Sequence, residues 1–252
     1  MSAPREKYKA QRKAEANTTS VNRELACLKT IFNKAILWGM ATRNPVKGIK
    51  LFKEPQRDRY LMPDEIRLLL DAYPSHYRPL VVTALHTGMR LGEILNLTWE
   101  DVDFRTMQIL VRDSKNGESR RIEMNSVVSQ ELLRLKKEPS RTHVFIGLSG
   151  ARLQTNAISR VHRMVCRKAR IADCRFHDLR HTFASHLVMN GVDLTTVSKL
   201  LGHKTLQMTL RYSHLSQAHK KKAVDTLTTL MDGHFLDTQA QKVVGAQFGD
   251  GR

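Results

Sequence analysis

Residues 177–187 read His177-Asp-Leu-Arg180-His181-Thr-Phe-Ala-Ser-His-Leu, and the stretches Leu-Leu-Gly-His203-Lys and Leu-Arg-Tyr212-Ser-His-Leu follow. Arginine binds phosphate oxygens through two parallel hydrogen bonds, and histidine exchanges protons near neutral pH. A tyrosine hydroxyl can act as a nucleophile, and its polar and basic neighbours here predict an accessible side chain. The combination indicates a site that grips and attacks a phosphodiester, as in the cleavage of a DNA strand.

The charge of the chain favours a polyanionic partner. Its 252 residues include 42 Lys and Arg against 24 Asp and Glu, which gives a net charge of +18 and a pI near 10.2. Double-stranded DNA is the favoured partner, although a ribosomal or membrane-surface protein has the same balance. There is no long apolar run and no apolar segment behind the charged N-terminus, so we expect neither a membrane span nor a secretory signal, and a cytoplasmic location.

The pattern of cysteines and histidines does not predict a metal site. Cys27, Cys166 and Cys174 are odd in number and lie in helical or core-like surroundings, so free buried thiols are expected rather than a disulfide framework or a zinc site. His177 and His181 have the spacing of a helical metal pair, but the glutamate of a metalloprotease helix is absent and Arg180 would repel a cation. We expect no metal.

The first 58 residues predict too little structure for a domain of their own. A basic arm precedes one amphipathic helix, for which Ser20 is the expected N-cap and Gly39 the expected stop. A basic linker follows. The apolar stripe of this helix needs a partner that residues 1–58 hardly provide.

The remainder of the chain predicts mainly helices with one hairpin. Pro63 and Pro79 begin helices, and Gly88 ends the second, which sets Arg90 at the start of the next one. Alternating residues from 107 to 124 around Asn116-Gly117 predict a two-stranded hairpin with Lys115 near its tip. Further helices are expected at about 126–137, 154–169, 178–190, 193–201 and 217–231.

The ordered set of motifs resembles the tyrosine recombinase (phage integrase) family. The set comprises Thr87-Gly-Met-Arg90-Leu-Gly-Glu93, Lys115 in a hairpin, His177-x-x-Arg180, Leu-Gly-His203 and Tyr212, across residues 59–216. The resemblance implies an α+β, mainly α-helical fold with a small antiparallel β-sheet. It also implies a catalytic domain at 59–234, preceded at 1–58 by a truncated helical core-binding segment and followed at 235–252 by a flexible tail.

The resemblance further implies a site-specific recombinase or integrase, an enzyme that cleaves and rejoins DNA through a 3′-phosphotyrosyl intermediate without a cofactor. Tyr212 would be the nucleophile, and the other roles follow. The phosphate would be held by Arg90, Arg180 and His203, and Glu93 would orient the arginines. His177 would assist proton transfer, and Lys115 would protonate the leaving oxygen. Lys204 would contact DNA. A homotetramer on paired DNA sites is implied, with the helix at 217–231 packed on a neighbouring protomer.

Two alternatives remain open from the sequence. Only about the last helix of the family's core-binding domain is recognisable, so a non-catalytic DNA-binding regulator derived from an integrase is one alternative. A type IB topoisomerase-like enzyme, with the same chemistry but no pairing of sites, is the other. His181 and His186 are expected to be structural or hydrogen-bonded rather than catalytic.

Overall fold

The computed structural model describes residues 4–54, 57–112, 119–136, 142–216 and 224–226, and the chain divides into two compact units, 1–57 and 58–252. Within the described ranges, no helix is both long enough and apolar enough to cross a membrane.

The first unit contains two helices, α1 (Pro4–Glu15) and α2 (Thr18–Leu37). The N-cap of α2 is Asn17, whose side chain accepts the Ser20 backbone N–H at 2.8 Å. The prediction of Ser20 as the cap was therefore wrong, because the helix begins three residues earlier and Ser20 is itself in the first turn, where its own amide is the one that is capped. The expected stop is present, since Gly39 directly follows the C-cap with a φ of +72°.

The N-terminal part of the apolar stripe of α2 is covered within this unit, whereas Ile36 and Leu37 near its C-terminal end are exposed, so the expectation that the stripe lacks a partner is corrected in part. Val21 and Leu25 are buried together with Val46 from the segment after the helix. The Asn22 amide donates to the Phe52 carbonyl at 2.9 Å and accepts the Phe52 N–H at 2.8 Å. These two hydrogen bonds tie the linker to α2 at Phe52.

The second unit is mainly helical, as predicted. Its helices are α3 (Pro63–Ala72), α4 (Arg78–Thr87), α5 (Leu91–Leu95), α6 (Ser126–Leu135), α7 (Thr155–Lys168), α8 (Asp178–Met189) and α9 (Leu194–Leu201), with short 3₁₀ turns at Trp99–Asp101, Leu206–Met208 and Leu210–Ser216. Proline in the first turn of α3 and α4, and Gly88 at the end of α4 with a φ of +62°, mark the boundaries that the sequence predicts.

The predicted hairpin is present within a three-stranded antiparallel sheet of order β1 (Val102–Asp103), β2 (Gln108–Arg112) and β3 (Ser119–Glu123). Ile109 pairs with Ile122, and Val111 pairs with Arg120. The third strand was not predicted, because two residues are too short to show an alternating pattern. Lys115 lies outside the described residues, as does most of the helix expected at 217–231 and all of the tail at 235–252.

Two apolar clusters organise the second unit. The larger one joins α3, α4 and α7 to the sheet and includes Leu69, Val81, Ile109 and Ile158. The smaller one packs α8 against α9 and the 3₁₀ turn at Leu210–Ser216, and Tyr212 is one of its members. Helix α8 therefore joins the turn that carries the tyrosine to the core of the unit.

Candidate active site

Arg180 is the buried anchor of the candidate site. Its side chain extends from α8 and the residue is only 4% exposed. Nη1 donates to the Gly88 carbonyl at 2.7 Å and Nη2 donates to the Leu201 carbonyl at 2.6 Å. Both carbonyls lie at the C-terminal ends of helices, where the partial negative charge favours a cation. Burial, and then the nearby charge of Arg90, lowers the Arg180 pKa to about 10, which leaves the guanidinium charged at neutral pH.

Glu93, in the first turn of α5, binds the side chains of two arginines, Arg90 and Arg120. It accepts the Arg90 backbone N–H at 2.8 Å and the Arg90 Nη1 at 2.8 Å, in the manner expected from the i, i+3 spacing. Its two oxygens also receive both terminal nitrogens of Arg120, at 3.0 and 2.7 Å. Burial alone would raise the Glu93 pKa, but the hydrogen bonds from Arg120 and Arg90 outweigh it and lower that pKa.

Arg120 was missed by the sequence analysis. It lies on β3 opposite the buried Val111, and its position two residues before Ile122 puts both side chains on one face of the strand. The alternation of residues along β3 was the sequence signal that could have identified Arg120 as inward-facing. A Cβ on Gly202, where φ is +63°, would lie 2.7 Å from Arg120 Cδ and Nε. The glycine of Leu-Gly-His203 thus leaves the space that this arginine occupies.

His203 is held by the turn that leads to the tyrosine. Its Nδ1 lies 2.8 Å from Oγ1 of the buried Thr209, and the Tyr212 backbone N–H donates to the Thr209 carbonyl at 3.0 Å. Burial, followed by the charges of Arg180 and Arg90, lowers the His203 pKa to about 4. The imidazole is therefore neutral at neutral pH, and it offers a phosphate one N–H donor rather than a second positive charge.

Tyr212 is buried, at 5% exposed, and this corrects the expectation of an accessible side chain. Its flanking polar residues gave that expectation, but the 3₁₀ turn directs the ring into the smaller apolar cluster. The hydroxyl lies 2.5 Å from Nδ1 of His181. Burial raises the Tyr212 pKa, an effect that the charges of Arg211 and Arg180 oppose.

His181 is hydrogen-bonded, as expected, but its partner is the candidate nucleophile, which the sequence did not predict. Burial and then the charge of Arg211 lower its pKa to about 4, so its ring is neutral and can accept a proton. His177, the histidine favoured from the sequence, lies exposed at the N-cap of α8. Its ring centre is 5.0 Å from that of His181, edge to face. Partial desolvation, and then Arg180, lowers the His177 pKa.

A cavity of about 970 Å³ opens beside Arg90, Glu93, Arg120 and His203. Its polar lining includes Arg90, Glu93, Glu100, Asp101, Arg112, Arg120, His203 and Lys204. Lys204 is exposed at its edge. Of the candidate residues in the described part of the chain, Arg180, His177 and Tyr212 do not line this cavity, and Lys115 has no described position.

The cysteines differ in part from the prediction. Cys166 is buried, as expected, whereas Cys174 is partly exposed and Cys27 is exposed on α2. Cys27 occupies a helical position on the side away from the small cluster of its unit, so the expectation of a buried thiol there was wrong.

Comparisons with known proteins agree with this architecture. The model of the phage integrase family matches residues 59–219. A tyrosine recombinase of Pseudothermotoga lettingae is 30% identical over 226 residues, which cover 86% of this chain and 78% of that protein. A solved structure of the Tn1549 transposon integrase with circular intermediate DNA superposes with a TM-score of 0.70 at 22% identity, covering 82% of this chain and 78% of that one. A lambda integrase tetramer bound to a Holliday junction superposes with a TM-score of 0.67 at 23% identity, covering 80% and 63%.

The chain therefore belongs to the phage integrase family, the tyrosine recombinases. Its second unit has the fold of the catalytic domains of these proteins. The chain is accordingly an enzyme of the site-specific DNA recombinase class.

Proposed function

We propose that this chain cleaves and rejoins the strands of double-stranded DNA through a 3′-phosphotyrosyl bond to Tyr212. The observation that carries the proposal is the hydrogen bond between the Tyr212 hydroxyl and neutral His181, next in sequence to the buried Arg180. A hydroxyl nucleophile, a proton acceptor and a fixed cation thus share one helix and the turn packed on it. These are the groups that displacement at a phosphodiester requires.

Phosphate binding is assigned to Arg90, Arg180 and His203. Two of the Arg180 nitrogens are occupied by helix-end carbonyls, so this guanidinium is fixed in position before substrate arrives. The Arg90 side chain is more exposed, at 42%, and Glu93 holds only one of its nitrogens through the contacts described. Preorganised donors of this kind stabilise the charge that develops on the non-bridging oxygens in the transition state.

The transfer step exchanges one ester for another. The Tyr212 oxygen attacks phosphorus, the bond from phosphorus to the 5′ oxygen breaks, and the 3′ phosphate becomes linked to the tyrosine. The phenolic proton passes to His181 or His177, and Lys115 donates a proton to the departing 5′ oxygen. One phosphorus–oxygen bond forms as one breaks, so the energy of the ester is conserved and the chemistry requires no nucleotide cofactor.

The buried position of Tyr212 adds a requirement. In-line attack needs the hydroxyl at the phosphate, so we infer that the turn at Leu210–Ser216 shifts when DNA is bound. Short 3₁₀ segments have poorer hydrogen-bond geometry than α-helices, which lowers the cost of such a shift. Proton transfer to His181 would then occur as the hydroxyl leaves its hydrogen bond.

DNA binding and assembly extend the proposal. The net charge of +18 and the exposed Lys204 beside the cavity suit a polyanionic duplex. We propose that residues 1–58 act as part of a core-binding domain, that residues 59–234 form the catalytic domain, and that 235–252 form a flexible tail. Four copies of the chain would act on paired DNA sites, and residues 217–231 of each copy would pack on a neighbouring copy. The enzyme would act in the cytoplasm, where its DNA substrate would be found.

A trapping assay with nicked suicide duplexes tests this function. The duplexes are made from DNA that flanks the gene, and the native chain is compared with Tyr212→Phe and with the matched control Tyr60→Phe. We expect a denaturant-resistant protein–DNA adduct with the native chain and with Tyr60→Phe, and none with Tyr212→Phe. Equal duplex binding by all three chains without any adduct would favour the regulator. Relaxation of supercoiled DNA without joining of two sites would favour the topoisomerase-like enzyme.

A further inference from the structure

A second group of reactive side chains lies on α7 and in the segment that follows it, and the proposed cleavage reaction does not use it. His162 and Cys166 extend from α7, and Cys174 lies in the segment between α7 and α8. Their ligand-type atoms all lie within 4.8 Å of one another. His162 is 1% exposed, so its ring is directed at the two sulfurs inside the protein.

The separations match those of a tetrahedral zinc site. With zinc–sulfur and zinc–nitrogen bonds of about 2.3 and 2.05 Å at about 109°, the sulfur and nitrogen ligands lie about 3.6 Å apart. Nε2 of His162 lies 3.4 Å from Cys166 Sγ and 3.5 Å from Cys174 Sγ. The nitrogen is thus nearly equidistant from the two sulfurs, whereas a single N–H···S hydrogen bond requires only one close sulfur.

The surroundings of His162 supply the outer partner that a metal-bound imidazole needs. Its other nitrogen, Nδ1, lies 2.7 Å from the Tyr73 hydroxyl, and Phe176 packs edge to face on the ring at 5.5 Å. Metal-ligating histidines use this second nitrogen to donate to an oxygen, which fixes the ring and its tautomer. The Tyr73 hydroxyl provides that acceptor and leaves Nε2 available for the ion.

Charge balance also permits a divalent ion. Two thiolates and a neutral imidazole neutralise a 2+ ion, so the occupied site adds no net charge to the interior. The neighbouring cation, Arg59, donates to the Ala172 carbonyl at 3.4 Å and is paired with Glu65 at 2.5 Å. The partial exposure of Cys174 allows water to take the fourth position.

We propose that His162, Cys166 and Cys174 form a binding site for a thiophilic divalent cation, zinc in the first instance. The ion would join α7 to the segment that leads into α8, three residues before His177. Its role is structural, because it holds the start of the helix that carries Arg180 without touching the phosphate. The sequence alone favoured free thiols, since the three cysteines are odd in number and lie in helical or core-like surroundings.

Cobalt(II), a spectroscopic substitute for zinc, provides the test. The full chain is reduced with a thiol-free reductant and titrated with cobalt(II), and the absorption is recorded. We expect one equivalent to produce the intense visible bands of tetrahedral cobalt and a near-ultraviolet sulfur-to-cobalt band, both removed by one equivalent of zinc. Loss of an outer partner alone weakens metal binding by about 10–100-fold, so Tyr73→Phe is expected in that range.

Two cysteine variants separate the site from adventitious binding. Cys174→Ser replaces a partly exposed ligand, and Cys27→Ser replaces the exposed thiol of the other unit. We expect at least about a 100-fold loss of cobalt affinity in the first and none in the second. Circular dichroism without metal checks that each variant is folded. The absence of a sulfur-to-cobalt band in the native chain, or its persistence at full strength in Cys174→Ser, would overturn the proposal.

Discussion

Replacement of Glu93 by glutamine tests how the arginines of the site are held. Glu93 accepts four hydrogen bonds, two from Arg90 and two from Arg120, and its side chain is 15% exposed. Glutamine has nearly the same shape, but it is neutral and only one of its two terminal atoms accepts. Two of the four donors would then face an N–H group instead of an oxygen.

The magnitude follows from those two contacts. A hydrogen bond to a charged group contributes about 1.5–3 kcal/mol, so two such bonds at the lower value contribute about 3 kcal/mol. Solvent at the Arg90 side chain reduces this contribution, and we therefore expect the free energy of unfolding to fall by about 2–3 kcal/mol. For a chain of this size that corresponds to roughly 4–12 °C in the unfolding midpoint. Displacement of Arg90 from the phosphate is expected to slow cleavage by about 100-fold.

The pH dependence gives a further signature of Glu93. Its folded-state pKa is lowered, so the unfolded chain binds the proton more tightly, and the associated stability is present above the ordinary pKa of 4.5 and is lost as the pH falls through the folded value. The difference in stability between the native chain and Glu93→Gln should therefore shrink in acid.

Chemical denaturation and the suicide-duplex assay measure both effects. The matched control is Glu123→Gln on the exposed face of β3, where a change within about 0.5 kcal/mol is expected. If Glu93→Gln is as stable and as active as Glu123→Gln, Glu93 does not organise the arginines.

Three further predictions address the groups around this network. Gly202→Ala would place a Cβ 2.7 Å from Arg120 at a φ of +63°, so denaturation should show a loss of about 2 kcal/mol or more, whereas Gly92→Ala, with nothing within 4 Å, should gain up to about 1 kcal/mol. Arg180→Lys cannot satisfy both helix-end carbonyls, so we expect a loss of about 1–3 kcal/mol and no detectable adduct; wild-type adduct yield would show that the fork is dispensable. The pKa of His181 is lowered from an ordinary 6.5 to about 4, so the unfolded chain binds the proton first and the unfolding temperature should decrease as the pH is lowered from 6.5 to 4. Calorimetry of His181→Gln should show a smaller decrease over the same range, and an equal decrease would count against the assignment.

Much of the fold could be predicted because its boundaries are local. Pro63 at the start of α3 and Gly88 at the end of α4 each act through their own backbone geometry. Asn116-Gly117 predicted the hairpin from sequence alone, and β2 and β3 pair as expected. Where two good caps compete, local rules were insufficient. Asn17 rather than Ser20 caps α2, because the Asn17 side chain accepts the Ser20 backbone N–H and the helix begins at Thr18.

The sequence nominated candidate site residues but not their contacts. Arg90, Glu93 and His203 line one cavity, together with Arg120, which the sequence analysis did not nominate. The contact between His181 and Tyr212 joins residues 31 positions apart, and it depends on how a 3₁₀ turn packs against α8. No periodicity encodes that packing, so the hydrogen bond and the burial of the tyrosine required the structure.

Mapping the covalent bond itself gives the most direct check on the chemistry. The trapped adduct is digested with protease, and the DNA-linked peptide is sequenced by mass spectrometry while duplexes labelled at either end report which side of the break is attached. We expect the attachment at Tyr212, through the 3′ phosphate, with a free 5′ hydroxyl on the other strand end. Attachment at any other residue, or through the 5′ phosphate, would rule out Tyr212 as the nucleophile of this reaction.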